Sequence, residues 1–583
     1  MPLSHADLLA HVAAKARALA DSGIGREDRI AIALPPGPEA ALAFLAAATC
    51  GIAAPLNPAC SREELSFHLQ DLSARVLILP PDGSLPARSA ARELGISIVD
   101  FGIVEFGAHC RGGKNSRGDL GANADDLALI LHTSGTTSRP KKVPLTHANL
   151  CESAHNIAAT LRLREEDVSL SIMPLFHIHG LACLLAALGA GGSCVCVSDP
   201  RIDQFPRWLE AWKPTWLSAA PTFLQAILDI ARDQGLGPCS LRLIRSSSAP
   251  LPFSVAAGLE NILGIPVIDS YGMTEAAHQM ASNPLPPGMR KAGSVGLPAG
   301  PRIAILDDAG APLDAGRIGE VAVAGGNVTR GYEGNTAANA TAYHGEWFRT
   351  GDQGYFDADG YLFITGRLKE LINRGGEKIA PREIDETLLS HPAVRQAVAF
   401  PIAHPSLGED IVAAVVLRTD VSEAELRAFT LDRLAAFKVP SRIIVVDDLP
   451  KGSSGKIQRI GMAERLAAAL TVRYESPLTD SERQVAESFE AVLRVGQVGR
   501  DDNFFALGGD SLRAMQVLVR LEQLMALELP VSLLFRQPTP ALLGAVLDEL
   551  IAVREIDQLA RALAELPEEE RASLLNEAGP PAI

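Results

Sequence analysis

Short apolar runs alternate with helical stretches through the first half of the chain, and that alternation constrains the fold most. Residues 30–34, 76–79, 127–132, 168–172, 193–197, 216–219, 243–246 and 267–270 each hold four to six residues, the length of a buried strand. A helix is expected to begin near Pro38 after the first of them, and an amphipathic helix precedes it at the N-terminus. Strands spaced by helices predict a parallel sheet covered on both faces, the α/β class.

The texture changes after residue 300. Runs at 303–306, 320–324 and 361–364 sit between Gly and Asp turns and predict a β-rich subdomain. A compact α+β segment is expected over 366–470, with a flexible string at 450–455 near its end. Residues 471–482 read as a linker and 483–550 as an all-α four-helix bundle. The tail, 551–583, carries seven acids and three bases, and its leucines predict two short amphipathic helices. The expected division is therefore 1–365, 366–470, 471–482, 483–550 and 551–583, a multidomain chain as its 583 residues suggest.

The net charge of −16 lacks the basic footprint of a nucleic-acid binder. It does not exclude an anionic ligand, because backbone N–H groups hold phosphate locally. Eight cysteines, all between Cys50 and Cys239, make neither a disulfide framework nor a zinc set; free thiols in a reducing compartment are expected. The first twenty residues have polar and charged groups inside the helix pattern, unlike a signal segment, and the apolar runs are too short to span a bilayer. A cytoplasmic location with no membrane contact follows as the expectation.

Leu131-His132-Thr133-Ser134-Gly135-Thr136-Thr137-Ser138-Arg139-Pro140-Lys141-Lys142 carries the first chemical signal. A strand runs into small hydroxyl residues and then into cations. Small side chains let backbone N–H groups approach oxyanions, hydroxyls add donors, and Lys141 or Arg139 could offset phosphate charge. The pattern fits neither the P-loop nor the dinucleotide fingerprint, and many such loops are only surface turns.

Further stretches follow in order: Met173-Pro174-Leu175-Phe176-His177, Asp269-Ser270-Tyr271-Gly272-Met273-Thr274-Glu275, Trp347-Phe348-Arg349-Thr350-Gly351-Asp352, Gly366-Arg367-Leu368-Lys369-Glu370 and Gly455-Lys456-Ile457-Gln458-Arg459. With the Ser/Thr/Gly loop, this set resembles the motifs of adenylate-forming enzymes: acyl-CoA synthetases, luciferases and nonribosomal peptide synthetase adenylation domains. The resemblance covers nearly all of residues 1–470. It implies ATP and Mg2+ as cofactors and an acyl-adenylate as intermediate. By resemblance, Lys456 reaches the carboxylate and α-phosphate, Glu275 binds magnesium, and Thr274 reaches the phosphates together with Thr133, Ser134, Gly135, Thr136, Thr137 and Lys141. Tyr271 and Gly272 would line the adenine, Asp352 and Arg367 would hold the ribose or phosphate, and Lys369 would be the hinge. For Glu275 a helix-capping role, and for Asp352 and Arg367 an ordinary ion pair, are the plainer readings. The resemblance also implies rotation of the small domain between half-reactions, with the loop Arg374-Gly375-Gly376-Glu377-Lys378 replacing Lys456.

Residues 501–515, with Gly508-Gly509-Asp510-Ser511-Leu512, resemble the attachment motif of carrier domains. That resemblance implies 4′-phosphopantetheine on Ser511. It also implies two kinds of partner: a phosphopantetheinyl transferase, and a downstream condensing, tailoring or acyltransfer enzyme. The acidic tail could dock such a partner or be merely solvated. No condensation, reductase or thioesterase region is expected after the carrier.

The amino-acid-activating branch has an acid after the Phe of its second motif; here Phe176-His177-Ile178-His179 has none. The large domain resembles the oxalate–CoA ligase branch instead, through Thr137-Ser138-Arg139-Pro140, Arg245-Ser246-Ser247-Ser248-Ala249 and Glu275-Ala276-Ala277-His278-Gln279-Met280. Ser248 and His278 would make a small polar pocket beside Met273, with His177 at its entrance acting on catalysis or binding; each His could equally be a core residue. Lys142, where the family usually has glycine, Ser247 and Pro250 depart from the pattern. The expected function is adenylation of a small non-amino carboxylic acid and its transfer to the chain's own carrier, in nonribosomal peptide or related secondary metabolism. The alternatives are loading of an unusual amino acid, or an oxalate-like ligase using free coenzyme A.

Overall fold

The computed structural model describes residues 2–82, 85–102, 121–133, 140–404, 407–451, 457–470, 474–509, 511–530 and 532–565. The chain divides into two compact units: the first runs to Lys369 and takes in Lys451, and the second holds Glu370–Pro450 and the residues from Ile457 onward.

The first unit holds three sheets. The first sheet orders its strands Ser97–Asp100, Val76–Leu79, Arg29–Ile32, Ile52–Pro55, Leu127–Thr133 and Lys141–Thr146. The first five are parallel, as the α/β alternation requires, and the last returns antiparallel. The second sheet runs Leu297–Pro298, His278–Ser282, Val267–Met273, Leu243–Ser246, Trp216–Ala219, Val168–Ser171 and Ser193–Cys196. Its five later members are parallel, with an antiparallel edge made by the first two. The third sheet is antiparallel and matches the β-rich subdomain: Arg302–Leu306, Gly319–Ala324, Trp347–Phe356 and Tyr343–His344, with Leu362–Arg367 beside the third.

Most expected strands stand within one or two residues of their places, but those at 267–270 and 361–364 extend to Met273 and Arg367. The strands Lys141–Thr146 and His278–Ser282 were not expected; charge and Pro144 conceal the first. Helix Pro38–Cys50 starts with Pro at its first position, as a fixed φ favours. Its apolar residues are buried on most sides, Phe44 among them, because the helix lies between layers. Thr146 ends its strand and caps helix His147–Thr160 in a reciprocal box with Asn149, so hairpin and helix are fixed to each other. Trp216, Phe205 and Phe348 are fully buried core anchors, each worth about 2–3 kcal/mol over exposure.

The second unit begins with a sheet ordered Glu377–Ile379, Ile372–Arg374, Gly408–Leu417 and Val394–His404, with Arg442–Val445 parallel to Gly408–Leu417. A helical bundle follows: Asp480–Leu493, Ser511–Met525, Ser532–Arg536 and Pro540–Glu565. Phe489, Phe504, Val517, Leu521, Leu543 and Leu547 form its core. The last helix crosses residue 551 without a break, so Leu559 continues the bundle helix instead of starting a separate tail helix. Residues 566–583 lie outside the described residues.

Bundle and sheet meet within this unit. Asn503 Nδ2 donates to the Ser441 carbonyl at 2.6 Å, and His404 Nε2 donates to the Phe505 carbonyl at 3.1 Å. Arg427, buried, donates to the Phe535 carbonyl at 3.3 Å, and Arg536 pairs with Asp432 at 3.0 Å. Each of the first three satisfies a carbonyl in the contact, which an apolar contact alone would not do.

The described cysteines are all free, as expected, and Cys194 and Cys196 lie 3.8 Å apart on one face of a strand. Among the described residues no helix is long and apolar enough to cross a membrane.

Candidate active site

The hairpin Leu127–Thr133 to Lys141–Thr146 carries the Ser/Thr/Gly loop at its turn. Thr133 and Lys141 face each other in register at its base, with Thr133 Oγ1 donating to the Lys141 carbonyl at 3.4 Å. Ser134, Gly135, Thr136 and Thr137 lie outside the described residues, as does Lys456.

Lys141 points over the Tyr332 ring, Nζ 4.2 Å from its centroid. The Tyr332 hydroxyl donates to Glu275 Oε1 at 2.8 Å. Glu275 is buried in the short turn Thr274–Ala276, directly after strand Val267–Met273. Open α/β sheets bind ligands at such strand ends. Burial raises the Glu275 pKa, while backbone and Tyr332 hydrogen bonds and the Arg367 and Lys141 charges oppose the rise. Burial lowers the Lys141 pKa, and Lys369 adds repulsion. An ammonium and a carboxylate are thus held near each other around one phenol. Sequence reasoning missed Tyr332, which lies outside every motif.

Asp352 and Arg367 are cross-strand partners in the third sheet, paired at 2.9 Å. Asp352 also accepts from Tyr271. Gly272 has no room for a side chain, since a Cβ there would lie 1.8 Å from the His278 carbonyl. That close approach locks the two strands at an irregularity between Tyr271 and Gly272, and Met273 is the register partner of His278.

Ser248 follows strand Leu243–Ser246 and His278 opens strand His278–Ser282, both in the second sheet. Ser248 has φ 80° and His278 φ 102°, backbone conformations that L residues rarely adopt and that cost about 1–3 kcal/mol each. Strain of this kind concentrates at functional sites. The rings of His278 and His179 stack at 4.7 Å. His179 joins Ser248 Oγ through Nδ1 at 2.9 Å and Ser218 Oγ through Nε2 at 2.7 Å. Arg245, wholly buried, reaches Ser218 Oγ at 3.2 Å, His278 Nε2 at 3.0 Å and Gln279 Oε1 at 3.1 Å. His177 precedes helix Ile178–Gly189, its ring against Phe176 at 4.6 Å. Arg245, His179, Ser218 and Gln279 had not been assigned to the site. A guanidinium inside the apolar strand Leu243–Ser246 was the available signal.

Ser511 opens helix Ser511–Met525 in the second unit, and Lys369 belongs to the first, next to the boundary at Glu370.

Three family models match the chain: "AMP-binding enzyme" over residues 2–333, "AMP-binding enzyme C-terminal domain" over 383–456 and "Phosphopantetheine attachment site" over 483–547. The chain is similar to an oxalate–CoA ligase of Arabidopsis thaliana, 44% identical over 476 residues, covering 78% of this chain and 92% of the relative. It is also similar to a sulfoacetate–CoA ligase of Cupriavidus necator, 38% identical over 456 residues, covering 76% and 89%. Among solved structures, o-succinylbenzoate coenzyme A synthetase (MenE) from Bacillus subtilis, in complex with ATP and magnesium ion, superimposes with a TM-score of 0.68. It is 30% identical and covers 78% of this chain and 93% of that one.

Proposed function

The chain belongs to the AMP-binding enzyme family, an AMP-forming adenylating enzyme fused to a phosphopantetheine-attachment domain, and from that premise we propose that it activates a small acid bearing a second anionic group and passes the acyl group to a pantetheine thiol, that of free coenzyme A. One observation carries the choice of acid. The pocket of Ser248, His278 and His179 is backed by a buried guanidinium that makes no ion pair among the described residues. An amino group needs a carboxylate there; an acid needs donors and positive charge. The names of three similar proteins support this reading, since oxalate, sulfoacetate and o-succinylbenzoate each carry two acidic groups. Their coenzyme A acceptor supports the free-thiol alternative over loading of the chain's own carrier in peptide synthesis. The carrier match keeps one second reading: transfer to the arm on Ser511.

Adenylation brings two anions together, so cations and donors aimed at the growing phosphate charge lower the barrier. Lys141 stands at the base of the phosphate loop, and Lys456 is assigned to the α-phosphate and carboxylate. Asp352, ionised and acceptor-only, suits two ribose hydroxyls. Glu275 fits a magnesium ion: Tyr332 occupies Oε1, and one carboxylate with waters and phosphates is the donor set Mg2+ prefers. The ion would neutralise phosphate charge there. Lys369 is the assigned hinge, at the boundary of the two units.

Pyrophosphate exchange across a panel of mono- and diacids tests the substrate. Preference for monoacids or amino acids refutes it. Intact mass of the phosphopantetheinylated protein, beside assay of free coenzyme A, tests the acceptor. A mass increment lost in Ser511→Ala, with free coenzyme A unacylated, favours the carrier.

A further inference from the structure

The chain enters the second unit at Glu370, leaves it after Pro450 and returns at Ile457, and these passages are tied together on the second unit's side. Gln458 N donates to the Pro450 carbonyl at 3.3 Å, which joins the point of return to the point of exit. Arg459 Nε donates to Glu370 Oε2 at 3.1 Å, which joins the return to the first entry. Glu370 and Arg459 lie 89 positions apart and end the two motifs that carry Lys369 and Lys456.

The guanidinium of Arg459 has two separate contacts. Its fork faces Asp385: Nη2 donates to Oδ2 at 2.6 Å and Nη1 to Oδ1 at 3.4 Å. Nη1 also donates to the Ala399 carbonyl, and Asp385 Oδ1 accepts from the Ala399 amide at 2.6 Å. A planar bidentate pair of this kind fixes the orientation of the guanidinium. The Arg459 and Asp385 side chains are 15% and 14% exposed, anchored against helix Pro381–Leu389 and strand Val394–His404. Nε, not used in that anchorage, is aimed at Glu370. Burial raises the Asp385 pKa, and the Glu370 charge adds to the rise. A second carboxylate beside the first therefore opposes the anchorage, so Glu370 is placed there for something other than holding Arg459.

We propose that Arg459 is a positioning residue for the adenylation step: anchored on Asp385, it clasps Glu370 and fixes the start of the second unit against the point where the lysine segment rejoins it. This rests on the assignment of Lys456 to the α-phosphate and carboxylate. Lys456 is three residues from Arg459, about 11 Å of extended chain at most, and Lys369 is next to Glu370. The clasp thus sets the anchor points of both residues. A displacement of about 1 Å at a reacting group can cost about 100-fold in rate.

Glu370→Ala tests the clasp apart from the anchorage, because Asp385 still holds Arg459. Pyrophosphate exchange is measured with the acid that wild type exchanges fastest in the mono- and diacid panel. The variant's kcat should fall about 10-fold or more, with KM for ATP and acid within about 2-fold and the melting temperature within about 2 °C. Arg459→Lys keeps the cation but not the fork. It should be at least as slow, and adding Glu370→Ala to it should slow exchange by no more than about 2-fold further. An unchanged kcat in Glu370→Ala overturns the proposal, as does a loss carried by KM, a loss that follows the melting temperature, or additive losses in the double variant. Lys456→Ala keeps the clasp and the reading beneath it apart. If its exchange matches wild type, the assignment of Lys456 falls and the clasp with it. If Lys456→Ala is slowed about 100-fold or more while Glu370→Ala exchanges like wild type, only the clasp falls. Should Arg459→Lys not fold, the split between kcat and KM in Glu370→Ala decides.

Discussion

Tyr271 donates its hydroxyl to Asp352 Oδ2 at 2.5 Å, joining residues 81 positions apart across two sheets of the first unit. Burial, the Asp352 charge and this hydrogen bond raise the Tyr271 pKa well above its usual range, so the phenol remains a donor in working conditions. Asp352 is thus oriented by Tyr271 on one side and Arg367 on the other before any nucleotide arrives.

Removing the charge of Asp352 should therefore hurt more than removing the phenol. Charge-assisted hydrogen bonds contribute about 1.5–3 kcal/mol and neutral ones about 1. Asp352→Asn should raise the KM for ATP by roughly 10- to 100-fold, and Tyr271→Phe by about 5-fold. Pyrophosphate exchange at varied ATP measures both.

Glu275→Gln separates folding from chemistry. A carboxylate whose pKa is raised by burial destabilises the nucleotide-free protein above that pKa, and the penalty falls as pH drops through it. The amide still accepts from Tyr332. The variant should melt at or above the wild-type temperature near neutral pH while pyrophosphate exchange drops by about 100-fold or more. A lower melting temperature would show that Glu275 is structural.

Acid should loosen the first unit through His68. Burial and the neighbouring His132 hold its pKa down to about 4. The unfolded ring binds its proton near 6.5, so stability is full above that value and is lost as pH falls from about 6.5 toward 4. The ring is partly exposed, and after screening the loss is about 1–2 kcal/mol. His68→Phe should flatten the urea-midpoint profile in that window.

Asn503→Ala removes the donor to Ser441 and the acceptor for the Phe505 and Ala506 amides. About 1–3 kcal/mol should be lost from the bundle and its contact. Proteolysis across 474–482 should then release the bundle from the remainder of the second unit, whereas cleaved wild type should stay associated. Size-exclusion chromatography after cleavage distinguishes them.

The strands were legible where a run of buried aliphatic residues met a turn. Trp216–Ala219 and Leu243–Ser246 stand where expected because both faces of those strands are covered. The Asp352–Arg367 pair was legible only through its motifs, since nothing in periodicity joins residues on neighbouring strands. Lys141–Thr146 was hidden because two lysines and Pro144 read as loop, although the return of the hairpin makes it an edge strand where proline is tolerated. Arg245 and His179 were quoted in motifs, but their joining is a matter of three dimensions: helix Ile178–Gly189 brings the His179 ring onto Ser248, 69 residues later, and against the His278 ring. The final helix was divided at 551 by a change in charge, whereas its apolar spacing runs on from Leu543 and Leu547 through Ile551.

The carbonyls of Phe505 and Phe535 find their donors on His404 and Arg427, and the Asn503 amide finds its acceptor on Ser441. A bundle moved alone onto another adenylating enzyme would leave those groups behind. The sheet and the bundle of the second unit therefore have to be exchanged together; a splice at 474–482 would exchange one half of a fitted pair.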